Sequence, residues 1–92
     1  MNLFDLTGKV AVITGASSGL GADAARAYAE QGADVAILAR RKEKLDALAQ
    51  EIQGMGRKAL AVQCDVTDET SVKNAVADVI SYYGKIDILL NN

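Results

Sequence analysis

Short apolar runs alternate along the chain with segments in which apolar side chains recur every three or four positions. The runs are Val10 to Thr14, Asp34 to Ala39, Ala59 to Cys64 and Ile86 to Leu90. Continuous apolar runs of this length are typical of strands that are buried on both faces. The pattern therefore predicts four buried strands separated by helices.

Three helical segments separate these runs, and each is followed by a glycine, which commonly ends a helix. The first helix continues to Gln31, and its predicted buried face contains Leu20, Ala24, Ala27 and Tyr28. The second runs from Lys42 to Gln53, with Leu45, Leu48 and Ile52 on its buried face. The third is predicted to bury Val72, Ala75, Val76, Val79 and Tyr83. Thr67 is the expected N-cap of the third helix, because Asp68 and Glu69 follow it and acidic residues favour a first turn.

Alternating strands and helices with short connections predict an α/β fold, in which a parallel sheet with right-handed crossovers carries helices on both faces. We expect a Rossmann-type, doubly wound sheet with the strand order 3-2-1-4, truncated after the fourth strand. Residues 1–92 form one dinucleotide-binding domain in this interpretation. The bare outer edge of the fourth strand, rich in Ile and Leu, predicts that the isolated chain self-associates as a homo-oligomer.

Composition narrows the class of protein. Half of the 92 residues are hydrophobic and the formal net charge is −2. This balance is globular, and it disfavours nucleic acid or an anionic membrane as partners, since both select basic surfaces. The chain has no signal-like N-terminus and no apolar stretch of membrane-spanning length, so we expect a cytoplasmic protein. Its single cysteine fits a reducing compartment, and the lack of histidine predicts no metal site.

A glycine-rich turn joins the first strand to the first helix. Residues 14–21 read Thr-Gly-Ala-Ser-Ser-Gly-Leu-Gly. A diphosphate is best bound by backbone N–H groups at a helix N-terminus, where the helix dipole is positive. Gly15 suits the tight turn, Gly19 lets the backbone approach the ligand, and Gly21 lets the helix pack closely on the strand. The alternative is a structural turn with chance glycines, which the position between strand and helix disfavours.

With Thr14 included, the motif is T-G-x-x-x-G-x-G and resembles the nucleotide-binding motif of the short-chain dehydrogenase/reductase family. The resemblance implies an oxidoreductase that transfers a hydride between a nicotinamide cofactor and the carbonyl or secondary alcohol of a small-molecule substrate. The chain corresponds to its cofactor-binding N-terminal third. The family's catalytic Tyr, Lys, Ser and Asn would lie outside it, because residues 81–85 contain such residue types at the wrong spacing. We expect this segment alone to be inactive.

The resemblance also implies a set of cofactor-binding residues. They are Thr14, Gly15, Ser17, Ser18, Gly19, Leu20, Gly21, Arg40, Arg41, Asp65, Val66 and Asn91. Asp65 would accept a hydrogen bond from the adenine amino group, with Val66 beside the ring, although an Asp at this position also suits a turn or a cap. Thr14 would bond the backbone of the segment that starts at Asn91, which resembles the first half of the family's N-N-A-G motif.

The end of the second strand distinguishes NADP from NAD. An acidic residue there would bond the ribose 2′-hydroxyl and repel a 2′-phosphate. The chain has Ala39 followed by Arg40 and Arg41, and a guanidinium suits a phosphate. We therefore expect NADP as the preferred cofactor, with NAD as the alternative and a solvated helix start as the other interpretation of the arginines. The alternative function is an inactive, stand-alone nucleotide-binding or self-assembling module.

Overall fold

A computed structural model describes residues 5–17 and 19–92. In these residues the chain forms β1 (Val10–Thr14), α1 (Gly19–Glu30), β2 (Asp34–Ala39), α2 (Lys42–Gly54), β3 (Ala59–Gln63), α3 (Glu69–Tyr83) and β4 (Ile88–Leu90). The strands form one parallel sheet in the order β3-β2-β1-β4. This confirms the predicted α/β class and the predicted strand order. Within the described ranges, no helix is both long and apolar enough to cross a membrane.

The fourth strand begins at Ile88 rather than at the predicted Ile86, because Asp87 bonds β1 with its side chain. Its carboxylate Oδ2 accepts a hydrogen bond from the Val10 N–H at 2.8 Å, and its own N–H donates to the Val10 carbonyl at 2.9 Å. The Val10 bond and the neighbouring Lys85 ammonium lower the pKa of Asp87. An ionised side chain therefore takes a bond that a strand carbonyl would otherwise accept.

Two buried clusters lie on opposite faces of the sheet. Ala11 and Ile13 of β1 pack in the cluster formed with α1 and α2, whereas Val10 and Val12 pack in the cluster formed with α3. Successive side chains of a strand point to opposite faces, so a strand with helices on both sides must be apolar throughout. The continuous apolar run of β1 follows from this double burial.

The buried face of α1 differs from the predicted one. The structure buries Gly21, Ala22, Ala25 and Ala29, whereas the predicted residues Leu20 and Ala27 are exposed and Ala24 and Tyr28 are half-buried. The helix is rich in alanine, so apolar periodicity hardly distinguishes one face from another. The face that packs on the sheet is the one with the smallest side chains, because small residues let the helix axis come close.

The other two helices bury the predicted faces. The buried residues are Leu45, Leu48, Ala49 and Ile52 in α2 and Ala75 and Val79 in α3. The remaining predicted residues of α3, namely Val72, Val76 and Tyr83, are half-buried. Branched and long side chains make the apolar stripe of these helices distinct, so the sequence pattern identifies it.

The N-cap of α3 is Asp68 and not the predicted Thr67. The Asp68 carboxylate accepts hydrogen bonds from the N–H groups of Thr70 at 3.0 Å and Ser71 at 3.4 Å. Thr67 instead donates from its N–H and its hydroxyl to Asp65. Asp and Thr both cap helices well, so composition alone does not decide between adjacent candidates.

We predict that Ala25→Leu lowers the free energy of unfolding by about 1–3 kcal/mol, because the added methylenes overpack the space between α1 and the sheet. Ala25 is fully buried, whereas Ala27 on the same helix is exposed. Ala27→Leu is therefore the matched control and should change the unfolding free energy by less than about 0.5 kcal/mol. Urea denaturation followed by circular dichroism measures both. Equal losses would contradict the assigned buried face.

Candidate functional site

The carboxyl ends of β1, β2 and β3 meet at one edge of the sheet, which is where open α/β sheets bind ligands. Residues at or just after the ends of these strands line a cavity of about 220 Å³, namely Gly15, Ser17, Ala39, Arg40, Arg41, Cys64 and Val66. A neighbouring cavity of about 470 Å³ is lined by Arg40, Gln63, Cys64, Asp65 and Ser71. Because they share Arg40 and Cys64, we treat the two cavities as one site, the carboxyl-edge crevice.

The glycine-rich turn has the backbone geometry that an anion-binding turn requires. Gly15 and Gly19 adopt φ values of +64° and +59°, which residues other than glycine rarely adopt. A Cβ built on Gly19 would meet no atom of the described residues within 4 Å, so these residues leave the backbone at the N-terminus of α1 open to a ligand. Leu20 follows with 77% of its surface exposed, and Ser18 lies outside the described residues.

Gly21 lets α1 pack directly on the turn. A Cβ built on Gly21 would lie 2.3 Å from the carbonyl oxygen of Gly15 and 2.9 Å from the side-chain nitrogen of Asn92. Contacts this short between a side chain and backbone do not occur without displacement of one of them. The sequence predicted close packing of Gly21 on the strand, and the structure places that contact at the turn after the strand.

Thr14 ties this turn to the segment after β4. Its hydroxyl donates to the Asn91 side-chain oxygen at 2.9 Å and accepts from the Asn92 N–H at 3.1 Å. The Asn92 side chain donates to the Gly15 carbonyl at 3.4 Å. The backbone contact expected of Thr14 is therefore made to Asn92. Asn92 was absent from the predicted site, although the second Asn of the Asn91-Asn92 pair was a signal for it.

Asp65 forms a turn and also lines the crevice. Its Oδ1 accepts hydrogen bonds from the hydroxyl of Thr67 at 2.7 Å and from the Thr67 N–H at 3.0 Å. These bonds lower the pKa of Asp65, and the positive charge of Arg40 lowers it further. The carboxylate is thus ionised at neutral pH. The turn that the sequence left as an alternative is present, and it occupies one carboxylate oxygen.

Arg40 and Arg41 form the whole connection between β2 and α2, and both are exposed. Arg40 lines both cavities, whereas Arg41 lines the smaller one. Arg41 is the N-cap of α2, and its side chain makes no capping bond to any described residue. No acidic residue stands at the end of β2, where Ala39 is buried. This end of the crevice therefore presents two guanidinium groups.

The predicted site residues fall into three groups. The crevice is lined by Gly15, Ser17, Arg40, Arg41, Asp65 and Val66. The glycine-rich turn is held by the contacts of Thr14, Gly21 and Asn91. The start of α1 contains Gly19 and Leu20. Four further lining residues, Ala39, Gln63, Cys64 and Ser71, were absent from the predicted site. The positions of the first three at strand ends were a signal, whereas Ser71 lies in the first turn of α3. None of these side chains carries a charge that marks it.

Tyr82 and Tyr83 lie away from this crevice. The Tyr83 hydroxyl donates to the Val35 carbonyl at 2.7 Å, near the amino end of β2 and therefore at the opposite edge of the sheet. Burial raises the pKa of Tyr83 far above its usual range. Tyr82 is 58% exposed and its ring meets that of Tyr83 edge to face. Both tyrosines have packing roles in this part of the chain.

Known proteins resemble the chain over nearly all of its length. The sequence model of the short chain dehydrogenase family matches residues 9–92. A fatty acyl-CoA reductase of Mycobacterium tuberculosis is 46% identical over 92 residues, which are 100% of this chain and 31% of the relative. The chain therefore spans about a third of that relative's length.

Two solved structures share the fold closely. L-Sorbose reductase from Gluconobacter frateurii, complexed with NADPH and L-sorbose, gives a TM-score of 0.94 at 39% identity, over 100% of this chain and 35% of the other. A 3-ketoacyl-(acyl-carrier-protein) reductase from Brucella melitensis, complexed with NADH, gives 0.84 at 45% identity, over 91% of this chain and 33% of the other. These proteins thus bind different nicotinamide cofactors with the same architecture.

We predict that Gly21→Ala disrupts the glycine-rich turn and destabilises the fold by at least about 1–3 kcal/mol, since the new methyl group would collide with the Gly15 backbone. Gly54→Ala is the matched control, because a Cβ there meets nothing within 4 Å among residues 5–17 and 19–92 and the backbone is not in the left-handed region. Thermal unfolding of both variants measures the difference. A Gly21 variant as stable as the Gly54 variant would show that α1 does not need this close approach.

Proposed function

The chain belongs to the short-chain dehydrogenase family, and we propose that it is the cofactor-binding part of an oxidoreductase that prefers NADP. When bound, the cofactor supplies or accepts a hydride, and the partner in that exchange is the carbonyl or secondary alcohol of a small molecule. The residues of this chain bind and orient the cofactor. We assign the proton-transferring groups to the remainder of the protein, because the Tyr83 hydroxyl bonds the Val35 carbonyl at the opposite edge of the sheet and neither Tyr82 nor Tyr83 lines the crevice.

The observation that carries the preference for NADP is the pair of arginines at the end of β2. Ala39 occupies the place where a carboxylate would bond a ribose 2′-hydroxyl, and Arg40 and Arg41 follow it at the crevice wall. A 2′-phosphate is an anion that a guanidinium binds through two parallel hydrogen bonds. NAD has a neutral hydroxyl in place of this phosphate and therefore no anion at this position.

The glycine-rich turn fits the diphosphate of such a cofactor. The first turn of α1, which the structure describes in full, contains no acidic residue. Acidic side chains commonly occupy this place, because they interact favourably with the positive end of the helix dipole. In this chain the N-terminus of α1 is therefore available to an anion from outside the chain. The open space in front of Gly19 lets the diphosphate reach the backbone N–H groups.

Two exposed apolar side chains fit the less polar parts of the cofactor. Val66 is 49% exposed in the wall of the smaller cavity, and Leu20 is 77% exposed at the start of α1. Exposed apolar groups beside a polar crevice commonly mark a surface that a ligand covers. We assign Val66 to one face of the adenine ring and the free oxygen of the ionised Asp65 to the adenine amino group.

Family membership leaves the choice of nicotinamide cofactor to local residues, because similar structures contain NADPH in one case and NADH in another. The preference proposed for this chain thus rests on Ala39, Arg40 and Arg41 alone. The negative charge of Asp65 lies close enough to Arg40 to interact with it. It offsets part of the local positive charge, so we expect a preference for NADP over NAD and not an exclusion of NAD.

We also propose that the enzyme works in the cytoplasm. Cys64 is a buried, unbridged thiol in the crevice wall. Such thiols persist where glutathione and thioredoxin maintain reducing conditions. The assignment thus follows from the chemistry of this one side chain.

Arg40→Ala in the full-length protein tests the proposed preference. We expect NADPH binding to weaken by about 1.5–3 kcal/mol, the range of hydrogen bonds to charged groups, with little change for NADH. Fluorescence titration of each reduced cofactor gives the dissociation constants. Lys44→Ala, which removes an exposed cation of α2 outside the crevice wall, controls for net charge. Equal weakening of both cofactors by Arg40→Ala would show that Arg40 does not bind the 2′-phosphate.

A further inference from the structure

Gln63 bonds the backbone of Arg40 across the ends of two strands. Gln63 is the last residue of β3 and pairs in register with Ala39, the last residue of β2. The Cys64 N–H donates to the Ala39 carbonyl at 2.8 Å, and the Gln63 side-chain Nε2 donates to the Arg40 carbonyl at 3.0 Å. The side chain thus adds one hydrogen bond to the β2–β3 ladder beyond the point where the strands end.

This bond restrains the peptide between Arg40 and Arg41. The connection from β2 to α2 consists of these two residues, and Arg41 has an extended backbone with φ −95° and ψ 100°. Within the described part of the chain, no side chain caps α2 at this residue. The direction in which the Arg40 side chain leaves the backbone depends on the orientation of that peptide. Gln63 is the side chain that bonds its carbonyl.

Gln63 also stands in the wall of the crevice itself. It lines the larger cavity together with Arg40 and Asp65. It carries no charge, so it neither attracts nor repels a phosphate as an ion would. Its side-chain Nε2 donates to the Arg40 carbonyl, and this contact links Gln63 to the proposed anion site.

We propose that Gln63 is a positioning residue that aims the Arg40 guanidinium at the crevice and thereby sets the preference for NADP. This inference rests on the role proposed for Arg40. Backbone bonds hold the carbonyls of Ala39 and Arg41 on either side, so loss of the Gln63 bond leaves the Arg40–Arg41 peptide less restrained, and the guanidinium samples more directions away from the phosphate. The affinity for a cofactor with a 2′-phosphate then falls, whereas a cofactor without that phosphate loses nothing.

The test compares Gln63→Leu with Gln53→Leu in the full-length protein. Gln53 makes the same kind of bond at the other end of β3, from its side-chain Nε2 to the Ala59 carbonyl at 3.3 Å, but it is not in the crevice wall. We expect Gln63→Leu to raise the dissociation constant for NADPH by about 3- to 10-fold, as the loss of one hydrogen bond implies, with NADH binding unchanged. Gln53→Leu should leave the ratio of the two constants as it is.

A double-mutant cycle with Arg40→Ala separates this inference from the proposed function. If Gln63 acts through Arg40, the variant Arg40→Ala/Gln63→Leu binds NADPH as weakly as Arg40→Ala alone. Additive losses, or equal losses for NADPH and NADH in Gln63→Leu, would overturn the positioning role. If Arg40→Ala weakens the binding of NADPH and NADH equally, the proposed preference for NADP is itself wrong, independently of the result for Gln63.

Discussion

The close approach of α1 to the turn after β1 is the constraint on which the crevice depends. Gly21 has no room for a Cβ against the Gly15 carbonyl, and the buried face of the helix consists of glycine and alanine. A helix with larger side chains on that face would stand farther from the sheet and would carry its N-terminus away from the strand ends. The small residues of α1 therefore serve the site as much as the core, because they determine where the open N–H groups lie.

A second requirement is that the loops after the strands stay in place although they carry polar groups. Side-chain bonds fix these loops. Thr14 bonds Asn91 and Asn92, and Gln63 bonds Arg40, across neighbouring segments. Thr67 bonds Asp65 within one loop. Such bonds satisfy backbone groups that the sheet ladder no longer reaches. The charged side chains of Arg40 and Arg41 remain exposed at the crevice wall.

The sequence predicted the topology because each strand and each turn carried its own local signal. The apolar runs, the glycines and the long side chains of α2 and α3 agree on one arrangement, which the structure has. The prediction failed where neighbouring choices were chemically alike. Alanine on most sides of α1 concealed the buried face, and Thr67 and Asp68 were equivalent as caps until the contact of Thr67 with Asp65 was known.

The site shows the same division between local and distant information. The glycine turn and the arginines could be proposed as anion-binding groups from the sequence, since their residue types alone indicate that chemistry. Gln63 and Asn92 were not, because a neutral amide gains its role only from the carbonyl that the fold places beside it. In the proposed site, cofactor choice depends on both kinds of residue. The charge proposed to recognise a phosphate belongs to Arg40, and its proposed direction depends on a peptide whose carbonyl accepts a hydrogen bond from Gln63 on the neighbouring strand. On this proposal, two proteins with the same sheet and the same glycine turn would differ in cofactor through a residue that carries no charge.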